Sequence, residues 1–324
     1  MIRAIRIHQT GGPEVLKWDE IEVGDPGPGQ VRLRQSACGL NYIDVYGRSG
    51  MYPIGDLPAV LGMEAVGSVI AVGADVDGLA IGDRVAYPMT LGAYAEERLI
   101  DADKLVKIPD SIDDESAAAM MLKGLTAHYL LFRTYPVQAG DSILVYAAAG
   151  GVGLILCQWA NQLGANVIGC VGSEEKAQLA RDNGCHHTIL YRHEDIAKRV
   201  SNITDGGGVA AAYDSIGKAT FTASLDSLRP FGVMATYGNA SGPVEPFSPL
   251  ILAGKGSLYV TRPTLATHIA TPELLREGAD RLIGAVESGK VRIHVNQSLA
   301  LADCAEAHRQ LEARTTTGST VLKT

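Results

Sequence analysis

The chain is poor in the features that staple, anchor or electrostatically recruit a protein. Its five cysteines, Cys38, Cys157, Cys170, Cys185 and Cys304, are scattered and form no Cys-x-x-Cys pair. An odd, dispersed set excludes a disulfide framework and fits reduced thiols in a cytosol. Long hydrophobic runs are missing as well. The most apolar stretch, Ile143 to Trp159, is interrupted by Gly150, Gly151 and Gly153. It also falls short of the roughly 20 residues that a membrane span needs. No apolar segment follows the start Met1-Ile2-Arg3-Ala4-Ile5-Arg6, so no signal peptide and a cytoplasmic location are expected. Basic residues are outnumbered, with 28 Lys and Arg against 36 Asp and Glu and a formal charge of −8. That balance argues against a nucleic-acid partner. It leaves room for a local basic pocket holding one anion. Internal repeats and low-complexity tracts are absent.

What is present is an ordinary globular composition, 46% hydrophobic over 324 residues. That length suits one large domain or two of common size. The first third is dense in turns, such as Gly11-Gly12-Pro13 and Asp25-Pro26-Gly27-Pro28-Gly29, between short β-rich runs such as Val31 to Arg34 and Ala65 to Val72. This predicts a β-rich domain. After about residue 120 the pattern alternates. Strands are expected at Ile143–Tyr146, Asn166–Val171, Thr188–Tyr191, Val209–Tyr213 and Val233–Tyr237. Helices are expected from Val152 to Leu163, Lys176 to Arg181 and Phe221 to Leu228. Buried strands alternating with helices read as an α/β, doubly wound parallel-sheet domain. Pro272 opens a helix to about Glu287, and Ser319–Leu322 reads as a closing strand that returns to the first domain.

The central motif is Ala147-Ala148-Ala149-Gly150-Gly151-Val152-Gly153, which follows a strand and opens a helix. Glycines there let the backbone approach a diphosphate, while the N–H groups and partial positive charge of the helix start face it. A site for the non-phosphorylated nicotinamide dinucleotide would place Asp or Glu at the end of the second strand, about 20 residues on, against the ribose 2′-hydroxyl. Here that strand ends in Val171-Gly172-Ser173, followed by Glu174, Glu175 and Lys176. A missing carboxylate, a hydroxyl and a nearby ammonium suit a 2′-phosphate, so NADPH is the expected cofactor. Tyr191 can add its hydroxyl from the neighbouring strand end. Glu174 and Glu175 stand close enough to offset Lys176. The adjacent His186-His187 pair reads as a surface or loop feature.

Several stretches together resemble the zinc-independent quinone oxidoreductases of the zeta-crystallin-like group, within the medium-chain dehydrogenase/reductases. They are Gly11 to Leu16, Asn41 to Tyr46, Leu122 to Thr126, Ala147 to Gly153, Tyr213 to Ser215 and Gly256 to Pro263. The resemblance implies a GroES-like catalytic domain over 1–124 and 266–324 and a Rossmann NADPH-binding domain over 125–265. Zinc-dependent relatives carry a Cys near residue 40 and a Gly-His-Glu triplet some twenty residues later. Here Asn41 and Gly62-Met63-Glu64 stand instead, and no cysteine lies between Cys38 and Cys157. No metal is therefore expected. Without a Lewis acid, the expected substrate is a quinone, an electrophile that gains aromaticity on reduction.

The resemblance implies that Asn41, Tyr46 and Tyr52 line the substrate pocket. Asn41 would hydrogen-bond the quinone oxygen, and the tyrosines would stack on the ring. It places Gly150, Gly151 and Val152 at the diphosphate, and Gly172, Ser173, Lys176 and Tyr191 at the 2′-phosphoribose. Tyr237, Gly238, Asn239 and Ala240 follow a strand end and are expected in the cofactor cleft. Tyr129, Ser215, Thr264 and Leu265 are expected near the nicotinamide, and Arg314 as a second cation for the phosphate. A homodimer follows by resemblance alone. The alternatives are a reductase of α,β-unsaturated carbonyls and a non-enzymatic NADPH- or RNA-binding protein.

Overall fold

The computed structural model describes residues 1–324. They form two compact units. The first comprises Met1–Leu125, Ile269–Glu287 and Ile293–Thr324, and the second Thr126–His268 and Ser288–Arg292. The chain begins with β1 (Ile2–Ile7), β2 (Lys17–Ile21), β3 (Gln30–Gly39), α1 (Tyr42–Ser49), β4 (Ala59–Val60), β5 (Glu64–Val72), β6 (Arg84–Pro88), β7 (Glu97–Asp101), β8 (Val106–Lys107) and α2 (Asp114–Tyr129). It continues with β9 (Ser142–Tyr146), α3 (Gly151–Gln162), β10 (Asn166–Val171), α4 (Glu174–Asp182), β11 (His187–Leu190), α5 (Ile196–Ile203), β12 (Val209–Asp214), α6 (Phe221–Asp226), β13 (Leu228–Thr236), α7 (Leu250–Gly254), β14 (Tyr259–Thr261) and α8 (Leu265–His268). It closes with α9 (Pro272–Glu287), β15 (Val295–Ala300), α10 (Cys304–Glu312) and β16 (Ser319–Lys323).

In the first unit β1 pairs with β2 and β4, while a larger sheet runs β15-β16-β3-β5-β6-β8 with β7 also on β3. The long β3 is its centre, pairing antiparallel with β5, β7 and the tail strand β16. Alternation along β3 buries Val31 and Leu33, and an irregularity between Gln35 and Ala37 brings Cys38 into the same core, against Ile5, Val69, Val85, Tyr87 and Leu322. No residue of this unit needs a disulfide partner, and all five cysteines of the chain are free and buried.

The second unit is a six-stranded sheet ordered β11-β10-β9-β12-β13-β14, parallel throughout. Counted within the unit this is 3-2-1-4-5-6, the doubly wound order whose strand direction of progress reverses beside the first strand. Helices cover both faces, so the strands are buried on both sides and read as apolar runs. Leu144, Ile168, Cys170, Ile189, Ala212 and Met234 form the core.

Several boundaries differ from the sequence pattern, β13 most of all, since it starts at Leu228 rather than Val233 and stops before Tyr237. β11 stops at Leu190, whose N–H goes to the Glu194 carboxylate at 2.7 Å; the Tyr191 N–H still reaches the Val171 carbonyl at 3.2 Å, but the residue lies in the following turn. α4 begins at Glu174, two residues earlier, because Ser173 caps it. α6 ends at Asp226, since Leu228 already pairs with Val209 as the start of β13.

Candidate active site

The glycine motif sits where β9 hands over to α3, at the sheet's reversal point. Ala147 has φ +50 and Gly150 is extended, at φ −88 and ψ 176, so the chain turns sharply into the helix. A Cβ on Gly153 would be driven into the Ala147 carbonyl, so close packing of helix on strand requires glycine there. No side chain caps α3. The orphan N–H groups of its first turn, headed by Gly151 and Val152, are thereby left for an anion.

At the end of β10, Gly172 leaves space that the Tyr191 hydroxyl approaches; a Cβ on Gly172 would lie 2.9 Å from it. The Ser173 hydroxyl is the cap of α4, accepting from the Lys176 N–H at 3.3 Å. It also hydrogen-bonds the Glu175 carboxylate, which holds that acid below its ordinary pKa. Glu174 pairs with Arg181 at 2.6 Å. Both acids that precede Lys176 thus have partners of their own, Arg181 and Ser173.

Around the ends of β12 and β13, Asp214 is fully buried and accepts from Ile216 N (2.7 Å), Gly217 N (3.1 Å) and Ser224 Oγ (2.8 Å), fixing the turn. That turn carries Ser215, which hydrogen-bonds the Tyr237 hydroxyl; burial raises the Tyr237 pKa and keeps it protonated. The Ala240 N–H donates to the Ser215 carbonyl at 3.3 Å, and a Cβ on Gly238 would strike the same backbone. Arg262 donates to the Thr236 carbonyl at 2.7 Å and steadies the strand end. Asn239 is half-buried in this turn. Tyr129 is buried and stacks on His268, with centroids 4.3 Å apart and planes 3° apart. Leu265 is buried beside an exposed Thr264. Arg314 belongs to the first unit, exposed in the turn after α10 with φ +59.

The first unit gathers Asn41, Tyr46 and Tyr52 at α1. Tyr46 stacks at a tilt against Tyr52 (5.1 Å) and Tyr42 (6.0 Å). Asn41 caps α1, and the Asp44 carboxylate returns to accept its N–H at 2.8 Å. The Asn41 side chain differs from expectation. Its Nδ2 donates to Glu64 Oε2 at 2.8 Å and to the Gly39 carbonyl at 3.2 Å. Both partners are acceptors, so the amide orientation is set and both its protons are committed. A quinone oxygen would have to compete with Gly39 and Glu64 for them.

Sequence reasoning missed the centre of this cluster. Glu64 is fully buried and Lys123 is 5% exposed. Lys123 Nζ lies 3.1 Å from Glu64 Oε2, and the Leu122 N–H donates to Oε1 at 2.7 Å. Asp44 adds a second enclosed carboxyl, accepting from the Tyr94 hydroxyl at 2.7 Å and pushed up to about 7 by burial. One signal was available: Lys123 is the single charge in the apolar helix segment from Ala117 to Leu125. A lone charge there must be paired.

A zinc ion does not fit these residues. Glu64 is committed to an ammonium, an amide and a backbone N–H, and Asn41 turns its nitrogen inward. No three His, Cys, Asp or Glu side chains converge.

A GroES-like β domain joined to a doubly wound sheet with a glycine-rich first turn defines a medium-chain dehydrogenase/reductase. The family models agree: an alcohol dehydrogenase GroES-like domain matches residues 27–110, and a zinc-binding dehydrogenase domain matches 151–277. A quinone oxidoreductase of Pseudomonas aeruginosa is 53% identical over 323 residues, 99% of each chain. A 2-haloacrylate reductase from a Burkholderia species is 46% identical, again over 99% of both. The crystal structure of Escherichia coli quinone oxidoreductase complexed with NADPH superposes with a TM-score of 0.97 at 45% identity, covering 99% of this chain and 100% of that one. The chain belongs to the quinone oxidoreductase family, and it is an oxidoreductase. None of its helices is long and apolar enough to cross a membrane.

Proposed function

We propose that the chain is a cytoplasmic, NADPH-dependent reductase of quinones that works without a metal ion. The second unit binds the cofactor and the first receives the substrate. The observation that carries this reading is the uncapped start of α3 at the reversal point of the sheet, with Gly172 rather than a carboxylate at the end of β10. NADPH, when bound, supplies the hydride. The N–H groups of Gly151 and Val152 hold the diphosphate, and Gly150, whose own N–H turns back to the Ala147 carbonyl, lets it approach the backbone. Gly172 and Ser173 make room for the 2′-phosphate, and Lys176 and Tyr191 supply charge and a hydroxyl to it. Ser215, Tyr237, Gly238, Asn239 and Ala240 form a braced turn for the nicotinamide half. Tyr129, Thr264 and Leu265 complete that lining and exclude water. Tyr46 and Tyr52 offer ring faces to a flat substrate.

The haloacrylate-reducing relative raises a second reading, reduction of an activated double bond. A haloacrylate brings its own carboxylate. The buried cation beside Asn41 is already balanced by Glu64, which favours an uncharged acceptor. Oxidation of NADPH followed with a quinone panel and with 2-haloacrylate and alkenals decides between the two. Faster turnover of quinones supports the proposal, and preference for the double bond overturns it. The homodimer is read at the open edge of β14, where Tyr259 is exposed; light scattering tests it.

A further inference from the structure

The geometry points to Lys123 as the catalytic proton donor that meets the substrate oxygen. This rests on the quinone-reductase reading above. Both amide protons of Asn41 are taken by Gly39 and Glu64, so a substrate oxygen would have to compete for them. Lys123 shares the same carboxylate oxygen, Glu64 Oε2, and its ammonium is therefore a neighbour of the Asn41 amide. An ammonium carries three donors, and Glu64 is the one acceptor the structure gives it. The group is also almost wholly withdrawn from water, with 7% of its side chain exposed. A fixed charge in such surroundings acts on a developing oxyanion far more strongly than in solvent.

The step balances. The hydride delivers two electrons and one proton to the quinone and leaves a quinol monoanion. The Nζ–H bond of Lys123 breaks as the quinol O–H bond forms. The resulting neutral amine recovers its proton from water. Glu64 is the positioning residue. It holds the ammonium in place, and its own charge is met by Lys123, Asn41 and the Leu122 N–H.

Removing Lys123 alone would leave Glu64 charged and unpaired in the interior. The test variant is therefore Lys123→Met with Glu64→Gln, compared with Glu64→Gln alone, each checked for a cooperative unfolding transition. Turnover is measured over quinones whose quinols differ in acidity. The double variant should lose about 100-fold in kcat on quinones giving weakly acidic quinols and far less on those giving acidic ones, and this dependence should be steeper than in Glu64→Gln alone, which keeps the ammonium but loses the carboxylate that positions it. A second readout needs no turnover. 4-Nitrophenol bound to the wild-type protein should show a larger ionised fraction, by its absorbance, than when bound to the double variant. An equal loss on every quinone, no loss, or an equal ionised fraction overturns the assignment. Wild-type protein that reduces none of the quinones overturns the functional reading itself, a result distinct from these.

Discussion

Asp44 shows how much of the first unit's chemistry rests on single enclosed groups. Burial holds its proton up to about pH 7, although Tyr94, the Asn41 N–H and the Lys123 charge all pull the other way. The unfolded chain releases that proton near 3.8. Stability from this group is thus complete below about pH 4 and is lost as the pH rises through 7. His308 acts in the opposite sense. Burial, helped by Arg48, lowers its pKa to about 3 from 6.5, so its contribution is present above 6.5 and is lost as the pH falls through 3. Asp44→Asn keeps an acceptor for Tyr94 and removes only the first effect. Its stability relative to wild type, read by urea unfolding at fixed pH values, should therefore improve between pH 4 and 7, by on the order of a few kcal/mol. A difference that stays flat over that window contradicts the assignment. Lys176→Ala makes the corresponding claim for the cofactor. NADPH binding should weaken at least about tenfold while NADH is little changed. Equal losses in a fluorescence titration would remove Lys176 from the phosphate site.

At the scale of elements, α3 starts without the side-chain cap that would stabilise it, as the proposed diphosphate site requires. An Asp or Ser at its N-cap would satisfy the first turn, and Gly150 does not. Gly150→Asp is compatible with the backbone, since φ is negative and its Cβ would meet only the Ala147 carbonyl at 3.2 Å, a tight contact relieved by a shift of a few tenths of an ångström. The variant should keep or slightly raise the melting temperature and lose NADPH affinity by about 100-fold, because the new carboxylate caps the helix and repels the diphosphate. Retained affinity in isothermal titration would show that the helix start is not the diphosphate site. The alternation of strands and helices in this unit was legible because parallel strands buried on both faces are continuous apolar runs, as in Ile143–Tyr146 and Val209–Tyr213. The glycine turn was legible because its spacing is local. The Glu64–Lys123–Asn41 cluster was not. Its members come from β5, α2 and the cap of α1, and the hydrogen bonds that join them span 23 and 59 residues. Glu64 by itself looked like a remnant of a metal site, and only its partners reveal a paired acid. The end of α6 was not legible either, because the cross-strand pairing of Leu228 with Val209, rather than local propensity, sets it.

For the molecule as a whole, the proposed function divides the work between the two units: one would hold the dinucleotide through backbone N–H groups and glycine-made space, and the other would set a buried lysine, balanced by a carboxylate, where zinc-dependent relatives use a metal charge. Hydride transfer to an uncharged acceptor asks only for positioning and for one proton at the right oxygen. The most direct measurement is the rate of NADPH oxidation by 1,4-benzoquinone, catalysed by protein dialysed against a strong chelator. The account predicts undiminished turnover after dialysis and a rate with NADH at least about tenfold lower at equal subsaturating concentration. Turnover that vanishes with the chelator and returns with zinc, or that runs equally well on NADH, would contradict it.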